Sequence, residues 1–384
     1  MSTRVAILGA GGQIGRTLLT RLRADSKLRP YGVCRNALTA APLRAAGLDV
    51  RCGDVTKDVK QLLGDADVIV NCASASCLWG QARKEDRAAI DAILSIGARV
   101  IHFSSVAVYG SCIDSTRNTY DDPRPDIPYG RDKLNLERYT MRHAKKLGRR
   151  VVILRMGHVY GAEQWVSRFV FNQIGTSFRL PFDGDRPSNA VHVANVASAV
   201  RTLVHDTGAE GAYNLFDPGN SSWREVFDWN TNAIGADRIP GMDVRNSERV
   251  RRAFAGKAGA PVPLAIAREV AAWTKSLPLS LVSASPSLRD LALSTMSTLQ
   301  APAIEQKVLA VYGEMSVRRM AEPLPVKETW LVSDGAPGRA VDYPPERGTA
   351  EQEAVAEWHE AYASPDALFP ADDAIEHGAV LAQA

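Results

Sequence analysis

The chain has 384 residues, 45% of them hydrophobic and 23% charged, with a net charge of +3. This is the composition of a soluble globular chain, long enough for a large core and two domains, and it excludes disordered and fibrous classes. It also argues against nucleic-acid and membrane partners: the basic runs RHAKKLGRR (142–150) and RVRR (249–252) read as solvated helix ends, and no apolar stretch nears the roughly 18 residues a membrane span needs.

In chain order, RVAILG (4–9) is a short apolar run closed by glycine, and it is too short for a signal peptide. QIGRTLLTRLRAD follows with helical spacing of Ile14, Leu18, Leu19 and Leu22. Further strand-like runs are 31–35, 49–54, 67–74, 99–105 and 150–157, with helical segments over 37–46, 57–64, 82–97 and 129–147. Near-continuous apolar strands alternating with helices predict an α/β fold, a doubly wound parallel sheet of Rossmann type. After residue 160, SNAVHVANVASAVRTLVHD (188–206) predicts an extended segment entering a helix, and GAYNLFD (211–217) one more strand. From about 220 the chain turns proline-rich, with helical pieces between loops; Trp223, Phe227 and Trp229 lie in an amphipathic piece and read as packing. The expected division is a dinucleotide-binding domain over 1–160 plus about 188–217. A smaller, mostly helical C-terminal substrate lobe takes about 161–187 and 218–384.

The five cysteines (Cys34, Cys52, Cys72, Cys77, Cys112) all lie in the first third. Their odd number and spacing offer neither a disulfide framework nor a metal site, and Cys34 and Cys72 read as buried core residues. A cytoplasmic location is expected.

VAILGAGGQIG places Gly9, Gly12 and Gly15 after a strand and at a helix start. In that context glycines serve a tight turn, close approach of backbone to a pyrophosphate, and close helix–strand packing. The helix N-terminus, Gly12 to Gly15 with Gln13 and Ile14, then offers N–H groups and partial positive charge to phosphates. The second strand ends Val33-Cys34-Arg35. The position for a ribose-binding acid is held by Cys34, and Arg35 follows, which favours NADP over NAD unless Arg35 is a solvated strand-end arginine. Arg16 adds positive charge beside the turn. Asp54, with Val55, closes the third strand and suits either an adenine amino group or a helix cap. Ala73 and Ser74, after the fourth strand, are further candidate dinucleotide contacts.

VIHFSSVAVYG (100–110) is a strand ending in hydroxyls, where open α/β sheets bind ligands. YGRDK (129–133) follows Pro128 and places Tyr129 and Lys133 one helical turn apart on one face. Moving a hydride at a carbinol carbon requires moving a proton at its oxygen. A phenol is a poor base at neutral pH, and a neighbouring ammonium lowers the pKa of a phenol. Ser105, Tyr129 and Lys133 are therefore the candidate catalytic set, with Tyr129 and Lys133 also reaching the dinucleotide.

The ordered set GAGGQIG, GDV (53–55), SSVAVYG (104–110), YGRDK, LRMGHVYG (154–161) and NAVHVANVASAV (189–200) resembles the extended short-chain dehydrogenase/reductases, the NAD-dependent epimerase/dehydratase family. The resemblance covers about 1–217, with YPPERGTAEQEAVAEWHEAY (343–362) similar to the family's closing segment. It implies catalytic Ser105, Tyr129 and Lys133, a dinucleotide on Gly9, Gly12, Gly15 and Asp54, and a homodimer through the helices at 82–97 and 129–147. Three positions depart from the family pattern. Val106-Ala107 replaces the Asp-Glu pair of dehydratases, His158 stands where nucleotide-sugar epimerases carry asparagine, and Ala194-Asn195 replaces acidic residues. Candidate substrate contacts are Ser76, Trp79, His158, Arg186 and Asn189, with His158 and His192 read first as scaffold histidines. The readings left open are a NADP(H)-preferring oxidoreductase for a secondary alcohol on a sugar-like metabolite, a nucleotide-sugar epimerase that keeps its NAD, and a non-catalytic dinucleotide sensor.

Overall fold

The apolar runs of the first 215 residues assemble into one seven-stranded sheet. This computed structural model describes residues 2–35, 37–73, 81–110, 123–125, 128–161, 164, 166–167, 180–181, 184–217, 219, 221–233 and 241–242. The strands are β1 (Thr3–Leu8), β2 (Leu28–Cys34), β3 (Val50–Cys52), β4 (Val68–Asn71), β5 (Arg99–Ser105), β6 (Val151–Met156) and β10 (Gly211–Leu215), in the order β10-β6-β5-β4-β1-β2-β3. Every pairing in it is parallel. Because the chain builds outward to β3 and then returns to the other side of β1, the crevice for a ligand opens beyond the carboxyl ends of β1 and β4.

Helices cover both faces. On one face, Leu18, Leu19 and Leu22 of α1 (Gln13–Leu22) and Val196 and Val200 of α6 (Val193–His205) pack on Val5, Ile7, Val70, Ile101, Val152 and Leu154. On the other, Ile90, Ile93 and Leu94 of α4 (Gln81–Ile96) and Ala144 of α5 (Pro128–Lys146) pack on Ala6, Leu8, Ile69, Val100, Val151 and Ile153. Strand neighbours thus feed opposite cores, as the two-residue period of a pleated strand requires. Each such aliphatic side chain contributes about 1.5–3 kcal/mol on burial. Arg99, at the start of β5, donates to the carbonyls of Leu203, Val204 and Asp206 and so closes the C-terminus of α6.

The predicted helices at 37–46, 57–64, 82–97 and 129–147 are α2 (Ala37–Ala45), α3 (Val59–Leu63), α4 and α5. Several strand boundaries differ from the sequence expectation, and three of the differences have a visible cause. β2 begins earlier, at Leu28, because Arg29 and Pro30 pair in register with Arg4 and Val5. β3 ends at Cys52, and Asp54 instead accepts hydrogen bonds from the backbone and hydroxyl of Thr56 in the turn that follows. The run 150–157 is interrupted at Gly157: β6 stops at Met156, and β7 (His158–Tyr160) pairs with β9 (Ala190–His192) in a separate ribbon, while β8 (Leu180–Pro181) pairs with β11 (Gly241–Met242). The cause is a close crossing, since a Cβ on Gly157 would lie 1.7 Å from the carbonyl oxygen of Asn189.

The amphipathic piece is α7 (Trp223–Ala233), with Trp223 and Phe227 fully buried. Cys34, Cys52 and Cys72 are free thiols. Among the described residues no helix is long and apolar enough to cross a membrane. Cys77, Cys112, nearly all of the expected C-terminal lobe and the segment 343–362 lie outside the described residues.

Candidate active site

The glycine turn joins β1 to α1 at the sheet's carboxyl edge. Gly9 has φ of +78°, and a Cβ there would meet the backbone N of Ala73 at 2.9 Å, so the turn lies against the chain leaving β4. Gly15 sits directly beneath the turn, where a Cβ would come within 2.3 Å of the Gly9 carbonyl oxygen. The N-cap of α1 is Gly12, and no side chain caps it. These features fit a pyrophosphate: an approachable backbone at a helix N-terminus, with no acidic residue in the first turn. Ile14 packs on the core, as does Val55 on the other face, so each offers its backbone rather than its side chain to a ligand. Gln164 reaches back from the chain after β7, its side-chain amide 3.4 Å from the Gln13 carbonyl oxygen.

At the end of β2, Cys34 is buried with its thiol toward the Thr39 carbonyl, and burial pushes its pKa up to about 11. Arg35 is exposed, the first side chain of this strand end to face solvent. Burial alone would raise the Asp54 carboxyl, but the two hydrogen bonds from Thr56 and the charges of Lys57 and Arg35 bring it below the ordinary value. Arg35 and Asp54 therefore share one electrostatic neighbourhood beside the glycine turn.

The proton-transfer side is built at β5. After Ser105 the chain coils into a single 3-10 turn, Val106–Tyr109, and the Ala107 N–H donates to Ser105 Oγ at 3.2 Å. This fixes the hydroxyl as an acceptor and leaves its own proton to be donated elsewhere. α5 starts against this turn. Gly130 makes the approach feasible, because a Cβ there would stand 2.2 Å from the Ala107 carbonyl oxygen. Tyr129 and Lys133, one helical turn apart, thus flank the residue that packs on the turn following Ser105. Lys133 Nζ is 5.8 Å from the Tyr129 ring centroid, and Tyr129 is 53% exposed.

The Lys133 charge is felt just past the end of β4 and in the middle of β5. His102 is buried, and its pKa is lowered to about 3, first by burial and then by Lys133. Burial raises the Cys72 thiol well above its ordinary range, with Lys133 opposing. Asn71 and His102 are register partners joined side chain to side chain at 3.0 Å, and Asn71 Oδ1 accepts from the Ala73 N–H, fixing the bend beside Gly9.

Three of the substrate candidates, His158, Asn189 and Arg186, are linked to one another through the backbone and Trp223. The His158 N–H donates to the Asn189 carbonyl, and its ring packs 4.9 Å from Trp223; burial lowers its pKa to about 4, leaving a neutral imidazole. Asn189 holds a left-handed conformation, φ 47°, rare outside glycine. The Arg186 carbonyl accepts from the Trp223 N–H, tying this stretch to α7. Ser74, Ser76 and Trp79 lie outside the described residues. His192 caps α6 by accepting from the Ala194 N–H, and Asp217 takes hydrogen bonds from Tyr160, the His192 N–H and Asn195.

Sequence reasoning missed Gly130, Asn71, His102 and the ion pair of buried Glu137 with partly buried Arg155. Glu137 alone carried a signal, standing four residues beyond Lys133 and so on the same helical face.

The family described as NAD dependent epimerase/dehydratase matches residues 5–215. No curated protein sequence matches the chain. Among solved structures, the chain is similar to UDP-glucuronic acid 4-epimerase from Bacillus cereus in complex with UDP-glucuronic acid and NAD. That likeness has 21% identity and a TM-score of 0.52, over 63% of this chain and 88% of that one. It is similar also to UDP-N-acetylglucosamine 4-epimerase from Methanobrevibacter ruminantium M1 in complex with UDP-N-acetylmuramic acid, with 19% identity, a TM-score of 0.53, and 64% and 87% of the two chains covered. For dTDP-glucose 4,6-dehydratase from Bacillus anthracis in complex with NAD, the values are 18%, 0.51, 67% and 92%. At these identities the likeness establishes a shared fold.

Proposed function

Because the chain belongs to the NAD dependent epimerase/dehydratase family, we propose that it transfers a hydride between a nicotinamide dinucleotide and a secondary alcohol or ketone of a sugar-like metabolite, with Tyr129 as general acid/base. The observation that carries this reading is the seating of the Tyr129–Lys133 turn against the turn that presents Ser105, at the carboxyl edge of the sheet that also forms the glycine turn.

A bound nicotinamide supplies the hydride donor or acceptor. The Tyr129 hydroxyl exchanges a proton with the substrate oxygen. Lys133 places an ammonium beside that phenol and also binds the nicotinamide ribose. Ser105, its lone pair already engaged by Ala107, donates its proton to the substrate oxygen and orients it. Gly12 to Gly15 take the pyrophosphate, Asp54 and Val55 the adenine, and Ala73 borders the site. Val106 and Ala107 are buried and carry no carboxylate, which disfavours elimination of water. Exposed Arg35 favours NADP, through its fit to a ribose 2′-phosphate. A homodimer through α4 and α5 and a cytoplasmic location complete the reading.

The family and the UDP-sugar and NAD complexes among the similar structures favour a second reading, an epimerase that oxidises, rotates and re-reduces its sugar. One experiment tests both. Dinucleotide released from the purified protein is identified by mass spectrometry, and the protein is then incubated with UDP-glucose, UDP-N-acetylglucosamine and UDP-glucuronic acid plus NAD or NADP. Net dinucleotide turnover supports the first reading. Tightly carried NAD with stereoisomer formation and no net turnover supports the second. A chain that binds neither dinucleotide refutes both.

A further inference from the structure

On the face of the sheet covered by α5, the strands begin apolar, with Val100, Val151 and Ala212. Near the carboxyl edge they turn polar. Ser104, Arg155 and Asn214 are direct register partners across β5, β6 and β10, so they form one row. Glu137 of α5 closes over this row. It accepts from Ser104 Oγ at 2.5 Å and from the Arg155 guanidinium through Nε at 3.1 Å and 3.2 Å and through Nη2 at 2.7 Å. Arg155 Nη1 donates to the Tyr109 hydroxyl at 2.8 Å, and that hydroxyl donates to Asn214 Oδ1 at 2.9 Å. Ser104, Glu137, Tyr109 and Asn214 are each at most 3% exposed.

Stability alone does not account for this belt. A buried ion pair loses about as much in desolvation as it gains in attraction, and apolar residues of similar volume serve a core as well or better. What a forked guanidinium–carboxylate pair adds is geometry, since its parallel hydrogen bonds fix both distance and rotation. The apolar contacts of α5, through Leu136 and Ala144, impose no comparable angular restraint, and another polar anchor, the Tyr139 hydroxyl donating to Asp91 at 2.6 Å, ties it to α4 rather than to the sheet. Glu137 stands one turn below Lys133 and two below Tyr129, about 6 Å and 12 Å along the helix. The same network holds Ser104, next to Ser105, and Tyr109, at the end of the turn that receives Gly130.

We propose that Glu137 and Arg155 are positioning residues that set the rotation and height of α5, and thereby the placement of Tyr129 and Lys133 relative to Ser105. The assignment of those three to chemistry rests on the function proposed above; the placement itself does not.

The test compares wild type with Glu137→Gln and with the double variant Glu137→Leu/Arg155→Met, which replaces the pair by apolar volume. Ser104→Ala, the mildest change, serves if either fails to fold. Backbone hydrogen exchange is followed by mass spectrometry without ligand, and NADPH is titrated by its fluorescence. We expect exchange in 129–136 to accelerate at least tenfold while 13–22 and 193–205 stay within twofold. NADPH affinity, measured separately by titration calorimetry, should hold within about threefold, while the fluorescence change from its nicotinamide end is lost. Unchanged exchange in 129–136, or equal acceleration in all three segments, overturns the proposal and leaves the pair a scaffold element. If wild type binds neither NADPH nor NADH, the functional reading falls, and the ligand-free exchange still decides this one.

Discussion

The two ends of the crevice are built by different means. At the glycine turn, the ligand surface is backbone: Gly9, Gly12 and Gly15 let main-chain atoms lie where side chains would intrude. At the Tyr129 end, the surface is side chain, and the helix that carries it is held by groups at long sequence separation. Ser105 is fixed by Ala107, α5 by Gly130 on one side and by Glu137–Arg155 on the other. Binding a pyrophosphate needs only oriented N–H groups, which any chain of correct shape supplies. Moving a proton needs particular atoms at particular distances, and so needs a supporting network.

If the division is correct, each end breaks separately. Tyr129→Phe should lower turnover by about a thousandfold, roughly 4 kcal/mol in the barrier, while dinucleotide affinity stays within about threefold. Steady-state rates and a fluorescence titration check this. Gly15→Ala should do the reverse: it forces a methyl against the Gly9 carbonyl, costs roughly 3 kcal/mol of stability and abolishes dinucleotide binding, as read by thermal unfolding with and without ligand. A smaller effect belongs to Arg35→Ala, which should reduce the preference for NADP over NAD about tenfold, or ~1.4 kcal/mol, in paired affinity measurements.

The last test concerns pH. His102 is held at about 3, below the roughly 6.5 of an unfolded chain. Above 6.5 it is neutral in both states. As pH falls toward 3, only the unfolded chain takes the proton, so stability declines, by at most about 1.4 kcal/mol per pH unit. His102→Gln should flatten the fall in melting temperature between pH 6.5 and 4. An unaltered slope would assign the acid sensitivity elsewhere, His158 being the next candidate.

The same division explains what could be read in the amino-acid sequence. Strands buried on both faces must be apolar along their length, and a strand–helix turn that approaches its own backbone must be glycine, so the parallel sheet and the Gly9–Gly15 turn were legible. Tyr129 and Lys133 were legible through helical spacing. The break at Gly157 was not, because its cause is the carbonyl of Asn189, thirty-two residues away. Nor were Asn71–His102 and Glu137–Arg155, whose partners meet only once strands are in register. Arg155 sits in a run, RVVILRMG, that otherwise reads as plain core, and the reason for its charge lies on another element.

The most direct check of the central claim is a crystal structure with NADP or NAD bound. The account predicts the Tyr129 hydroxyl and Ser105 Oγ converging within hydrogen-bond reach of one point beside the nicotinamide ring, with Lys133 Nζ on the adjoining ribose. A Tyr129 side chain still directed to solvent, with the nicotinamide lying away from α5, would contradict it.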